Sequence, residues 1–156
     1  MNKYFFLTLV TSILTYSLLA QINESKNIAV PKKIERFIDG YIQAWSRGDV
    51  KYIMDKVYDV PFFIIDGDST TVLNDSAKVE KLLVSTFKSL KSQGYGYSTR
   101  NRWEKFEKLP DKNITITSNY TRYLTTNEIM GAKERRVTYI IKKKDNGYRI
   151  IQLIRN

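Results

Sequence analysis

The chain contains no cysteine and no histidine. The first absence excludes disulfides, thiol catalysis and thiolate metal sites; the second excludes imidazole ligands and every Ser–His or Cys–His nucleophile pair. Proline and glycine are scarce, with 3 and 7 residues, so the breaks between elements are few and each can be read. Beyond residue 20 no apolar run approaches the length of a membrane span. What remains for chemistry is carboxylate, tyrosine, lysine and arginine. The 156 residues make one domain with a single core.

Acidic residues are also in short supply, and unevenly so. Residues 21–96 hold 11 basic and 10 acidic side chains, whereas residues 97–156 hold 14 and 6. Such an imbalance suits an anionic partner, or simply a solvated lysine-rich surface. At the N-terminus, Lys3 precedes an uncharged run from Tyr4 to Ala20, and polar residues follow from Gln21. One positive residue, an apolar run and a small residue at its end describe a secretory signal cleaved after Ala20. The run is at the lower limit for a span, so a retained anchor is the competing reading. A secreted or periplasmic protein without cysteine must rest on its core alone. The expected organisation is a signal peptide at 1–20, a polar linker at 21–30 and a folded domain at 31–156.

Pro31 opens a helix at a position where a missing N–H costs nothing. Ile34, Phe37, Ile38, Tyr41, Ile42 and Trp45 follow on helical spacing as one apolar stripe. Gly48 suits the left-handed stop, and Asp49 caps a shorter helix carrying Val50, Ile53, Met54 and Val57. Pro61 closes that region. Phe62 to Ile65 reads as a short buried strand, Asp66 to Ser69 as a turn, and Thr70 to Leu73 as the returning strand. Asp75 caps a third helix with Val79, Leu82, Leu83, Phe87 and Leu90 on one face, ended by Gly94. The period then changes to 2, with strands predicted over 97–109, 113–125, 133–144 and 147–155. Asp145-Asn-Gly147 is a strong hairpin signal between the last two. The order predicts an α+β domain, three helices on one side of a curved antiparallel sheet.

Ala44, Trp45, Gly48 and Asp49 form an A-W-x-x-G-D pattern at the first helix break, Asp66 ends the first strand, and Asp145-Asn-Gly-Tyr-Arg-Ile150 makes the final turn. With this element order the chain resembles the NTF2-like superfamily, in particular its SnoaL-like and ketosteroid-isomerase-like branches. The resemblance implies a cone-shaped fold in which helices and a bent sheet enclose a pocket. It also implies candidate chemistry. Tyr41 matches the helix tyrosine that donates to a substrate oxyanion, and Asp66 matches the proton-shuttling aspartate. The third acid of that branch has no counterpart in Arg135-Arg-Val-Thr-Tyr-Ile140.

Each candidate has a plainer reading. Tyr41 lies on the apolar stripe and suits the core, Asp66 precedes Gly67 and suits a turn, and Trp45 suits packing at the helix break. On the strand 113–125, Ile114, Ile116, Ser118, Tyr120 and Arg122 share a face that turns from apolar to polar, as a half-core, half-pocket face should. Ser118, Tyr120 and Arg122, with Trp45 and Tyr139, are therefore the expected ligand contacts, and Arg122 could hold an anionic group. On the strand 97–109, strict alternation puts Arg100, Arg102, Glu104 and Phe106 on one face, a mixture of cation and ring that could also suit nucleic acid. No nucleic-acid motif accompanies it.

The leading expectation is a small-molecule pocket without catalysis. The alternatives are a cofactor-free isomerase, dehydratase or cyclase using Asp66 and Tyr41, and an interaction module meeting an anionic partner through its basic sheet. A small-molecule ligand and a homodimer through the sheet are expected, with no cofactor, metal, nucleic acid or stable membrane anchor.

Overall fold

The structure, a computed structural model, describes residues 28–155. The leader, its boundary at Ala20 and most of the linker lie outside the described residues. Helix α1 (Lys32–Arg47) starts where the carbonyl of Pro31 accepts from the N–H groups of Ile34 and Glu35, at 2.8 and 3.1 Å. It stops at Gly48, whose φ of 66° is left-handed and returns its N–H to Ala44 and Trp45. Asp49 Oδ1 accepts from the N–H of Tyr52 at 2.9 Å and opens α2 (Val50–Tyr52), which widens into a π-helical turn, Ile53–Val57. Asp75 caps α3 (Ser76–Ser92) in the same way through the N–H of Lys78.

The strands are β1 (Tyr58–Asp66), β2 (Ser69–Leu73), β3 (Tyr95–Lys108), β4 (Ile114–Leu124), β5 (Arg135–Lys144) and β6 (Gly147–Arg155). They form one sheet in the order β2-β1-β6-β5-β4-β3, which does not close into a barrel. Every neighbouring pair is antiparallel except β1 and β6. The mixed character arises because the last strand returns to insert between β1 and β5, an event no local pattern announces.

Two local expectations shift. Strand β1 begins at Tyr58, before Pro61. Its pairing with β6 skips from Tyr58 to Phe63, so the missing N–H of proline falls in an irregular stretch of ladder. Strand β3 does not alternate strictly. Register breaks between Arg100 and Arg102 and between Trp103 and Lys105 place Arg100, Trp103 and Phe106 opposite Tyr120, Ser118 and Ile116 on the inner face, and send Arg102 and Lys105 outward.

The core lies between the helices and the inner face. Ile34 and Ile38 of α1, Ile53 and Val57 of the π turn, Phe62 of β1, Val79 and Leu83 of α3, and Ile116, Ile141 and Ile150 of the sheet are all fully buried. Phe37 is only partly buried, against Tyr148 at 5.8 Å between ring centroids. Arg100 ties β3 to α1 through Asp39 and Glu35, at 3.0 and 3.3 Å, and covers the Trp103 ring at 4.0 Å. Among the described residues no helix is long and apolar enough to cross a membrane.

Candidate functional site

The end of α1 nearest Gly48 leans over the open end of the inner sheet face, and the two enclose a cavity of about 60 Å³. Tyr41, Ile42 and Trp45 come from α1, Tyr120 and Arg122 from β4, and Val137 and Tyr139 from β5. Ser98 of β3 and Leu153 and Arg155 of β6 complete the wall. Helical spacing delivers the first group, because positions three and four apart share a face. The period of 2 delivers the strand residues, each pair two apart.

Tyr41 is central. Its ring meets Trp45 and Tyr139 edge-on, each at 5.9 Å, and Tyr58 at 5.7 Å. Its hydroxyl and that of Tyr58 share a hydrogen bond of 2.7 Å. With Tyr58 as donor, Tyr41 offers its own proton to the cavity; with Tyr41 as donor, its oxygen can accept from a ligand. Burial holds the Tyr41 hydroxyl well above the ordinary tyrosine range, and the positive charge of Arg122 works against that rise. Burial raises Tyr58 and Tyr139 likewise. These are neutral donors and acceptors near pH 7, not bases. Trp45 is held from behind by Phe87 at 4.8 Å.

Arg122 brings the cation. Its guanidinium lies 5.7 Å from the Tyr120 ring centroid, and its Nε is buried without a hydrogen bond among the described residues. Arg155 is engaged by Asp66 at 2.8 Å. Asp66 itself does not line the cavity: its side chain is 57% exposed, and it reaches the site only through Arg155. The expected pairing of Asp66 and Tyr41 across an apolar cavity is therefore not the arrangement found. Asp66 ends β1 at the sheet's surface, opposite Ser69 across the hairpin. Ser118 is fully buried between Trp103 and Val137 in the ladder, beside the wall rather than in it. Its Oγ lies close enough to the Tyr139 hydroxyl to ease that group's rise slightly, without the geometry of a hydrogen bond.

The structure thus brings Tyr41, Trp45, Tyr120, Arg122 and Tyr139 around one cavity. Sequence reasoning did not name Ile42, Ser98, Val137, Leu153 and Arg155 as its lining. Leu153 and Arg155 were legible as alternate residues of the last strand, but only knowledge that β6 lies beside β5 makes their face the cavity face.

The lining holds no carboxylate among the described residues. Among the described residues no group of three or more acidic side chains is placed to hold a metal ion. A cavity of about 150 Å³ accepts benzene, so this half-open recess of about 60 Å³ holds part of a larger ligand and leaves the remainder in solvent.

The family described as NTF2-like protein (DUF6841) matches residues 32–156, the whole folded part. The chain belongs to this NTF2-like family. Solved structures agree on the NTF2-like fold at low identity. An NTF2-like protein of unknown function from Shewanella oneidensis MR-1 is 14% identical with a TM-score of 0.61, the match covering 79% of this chain and 95% of that one. ActVI-ORFA from Streptomyces coelicolor is 10% identical with a TM-score of 0.64, over 80% and 94%. A ketosteroid isomerase-like protein from Erwinia carotovora atroseptica is 14% identical with a TM-score of 0.57, over 79% and 92%. No curated protein matches the sequence. For the NTF2-like chain these likenesses speak to fold alone.

Proposed function

We propose that this NTF2-like domain is exported and binds a small, moderately apolar molecule with a polar or anionic end, without transforming it. One observation carries the reading: an aromatic cavity into which Arg122 brings a charge whose buried Nε has no hydrogen bond among the described residues. Small-molecule sites have this character, mostly apolar walls with a few polar groups that fix orientation. The enzymatic alternative lacks support where it needs it, since Asp66 lies outside the cavity. The interaction-module alternative is weakened by internal pairing: Arg100, Arg102, Arg136 and Lys144 all have acidic partners within 4 Å.

Mass spectrometry of the protein recovered from an exporting host tests both halves. The denatured mass should correspond to a chain beginning at Gln21, and the native mass should exceed it by that of a small organic molecule. A retained leader in a soluble cytoplasmic pool removes the export claim. Equal native and denatured masses, with no shift of the Trp45 indole NMR signal on adding the host's small-molecule extract, remove the pocket claim.

A further inference from the structure

Three arginines stand at one end of the inner sheet face, on three adjacent strands. Arg135 lies opposite Tyr120, Arg155 lies opposite Val137, and Arg122 is two residues beyond Tyr120. Alternation therefore puts all three on the face that carries Tyr120, Val137 and Tyr139. Arg122 and Arg155 line the cavity. The Nε atoms of Arg122 and Arg135 are both buried without a hydrogen bond among the described residues, although Arg135 donates from Nη2 to the carbonyl of Met130 at 3.3 Å. A buried guanidinium N–H without an acceptor carries its desolvation cost with no return. That of Arg122, in the cavity wall, is complementary to an anion, and Arg135 adds its charge from the same sheet face outside the lining. Asp66 is paired with Arg155 there at 2.8 Å.

The shape of the site narrows the anion. The guanidinium fork matches a planar carboxylate through two parallel hydrogen bonds. The half-open recess of about 60 Å³ beside it is walled by the rings of Tyr41, Trp45 and Tyr139 and suits a short alkyl tail. We infer, building on the binding-pocket reading, that the site takes a short-chain monocarboxylate. Its carboxylate lies on Arg122 at the mouth, its tail lies among the rings, and Asp66 limits affinity by competing for Arg155. The aspartate that resembles a proton shuttle is on this account a resident counter-ion.

Titration of the mature protein with butanoate, its neutral isostere butanamide and inorganic phosphate, followed by amide and indole NMR shifts, tests this. Butanoate should bind and butanamide should bind more weakly. Asp66→Asn, an exposed and conservative change, should tighten butanoate about two- to fivefold, the scale of an exposed ion pair, and leave butanamide unaltered. Arg122→Gln should weaken butanoate about ten- to a hundredfold with butanamide unaltered. If that variant fails to fold, Arg122→Lys, which keeps the charge but not the fork, should show a smaller loss in the same direction. Butanamide binding as tightly as butanoate overturns the carboxylate assignment and leaves the pocket standing. Phosphate binding as tightly overturns it in favour of a tetrahedral anion. Unchanged or weaker butanoate binding by Asp66→Asn overturns the role of Asp66. Failure of both organic probes to bind at millimolar concentration overturns this inference and leaves the pocket reading to the native-mass measurement.

Discussion

A buried hydroxyl pair such as Tyr41 and Tyr58 is stabilising only while both members are present. Each ring is about 6% exposed, and the hydrogen bond between them is 2.7 Å long. Tyr58→Phe removes one hydroxyl and leaves Tyr41 facing a phenyl edge, which should cost about 1–3 kcal/mol. The double variant Tyr41→Phe/Tyr58→Phe replaces both polar groups with apolar ones of the same shape and should recover part of that loss. Urea denaturation of the two single variants and the double one gives the cycle. A double variant whose loss equals the sum of the two single losses would mean that the hydroxyls act independently. The same reasoning explains why tyrosine is tolerated on an otherwise apolar stripe: the ring fills the core and the tip finds a partner or the cavity.

At the scale of elements, α1 shows how one apolar stripe divides its work. Ile34, Ile38, Tyr41 and Ala44 face the core squarely, while Phe37, Ile42 and Trp45 flank it. Ile38→Ala should cost about 2–5 kcal/mol, because the residue is fully buried and its neighbours cannot close over the space. Phe37→Ala should cost less than the roughly 3–5 kcal/mol of a buried phenylalanine, since its ring is partly solvated beside Tyr148. Chemical denaturation ranks the two, and the reverse order would mean that α1 is rotated about its axis. Strand β3 makes the complementary point. Gly96 has no room for a Cβ, which would meet the Leu124 carbonyl oxygen at 2.8 Å, so the backbones of β3 and β4 approach closely there. Farther along, the two register breaks turn Trp103 inward beneath Arg100. Periodicity assumes an even ladder, so it misplaced Arg102 and Trp103 between the two breaks, while Phe106 beyond them keeps the face of Arg100.

For the molecule as a whole, the absence of histidine and the burial of tyrosine set the pH response. Tyr41, Tyr58 and Tyr139 are all raised above the ordinary tyrosine value, chiefly by burial. Below about pH 10 these groups are protonated in both folded and unfolded chains, and their contribution is constant. Above it the unfolded chain loses the protons first, so stability falls by about 1.4 kcal/mol per pH unit for each tyrosine. On the acid side, Glu35, Asp55 and Glu134 are held low chiefly by hydrogen bonds from Lys32, Lys51 and Arg102, and Asp75 by the backbone N–H of Lys78. Their contribution is present above the unfolded carboxylate value and is lost as the pH falls through the lowered folded one. Urea midpoints measured from acid to alkaline pH should show a plateau around neutrality and a steep alkaline decline, which Tyr58→Phe makes shallower. A decline centred near pH 6.5 would contradict the account, because no imidazole is present to cause it.

The element order followed from the chain alone because its determinants are local. Asp49 and Asp75 cap helices through N–H groups three residues away, Gly48 adopts the left-handed stop, and the Asp145-Asn146 turn joins β5 to β6. The same locality made Tyr41, Trp45, Tyr120, Arg122 and Tyr139 legible as one group, since each lies on a face given by its own element's period. What only the tertiary structure decided depends on strands distant in sequence. Insertion of β6 between β1 and β5 pairs Asp66 with Arg155 in register, carrying that aspartate out of the cavity and that arginine into its wall. The separation between those two residues along the chain is why no motif or period could foresee their ion pair: the attraction between opposite charges acts through space, and only the fold sets that distance.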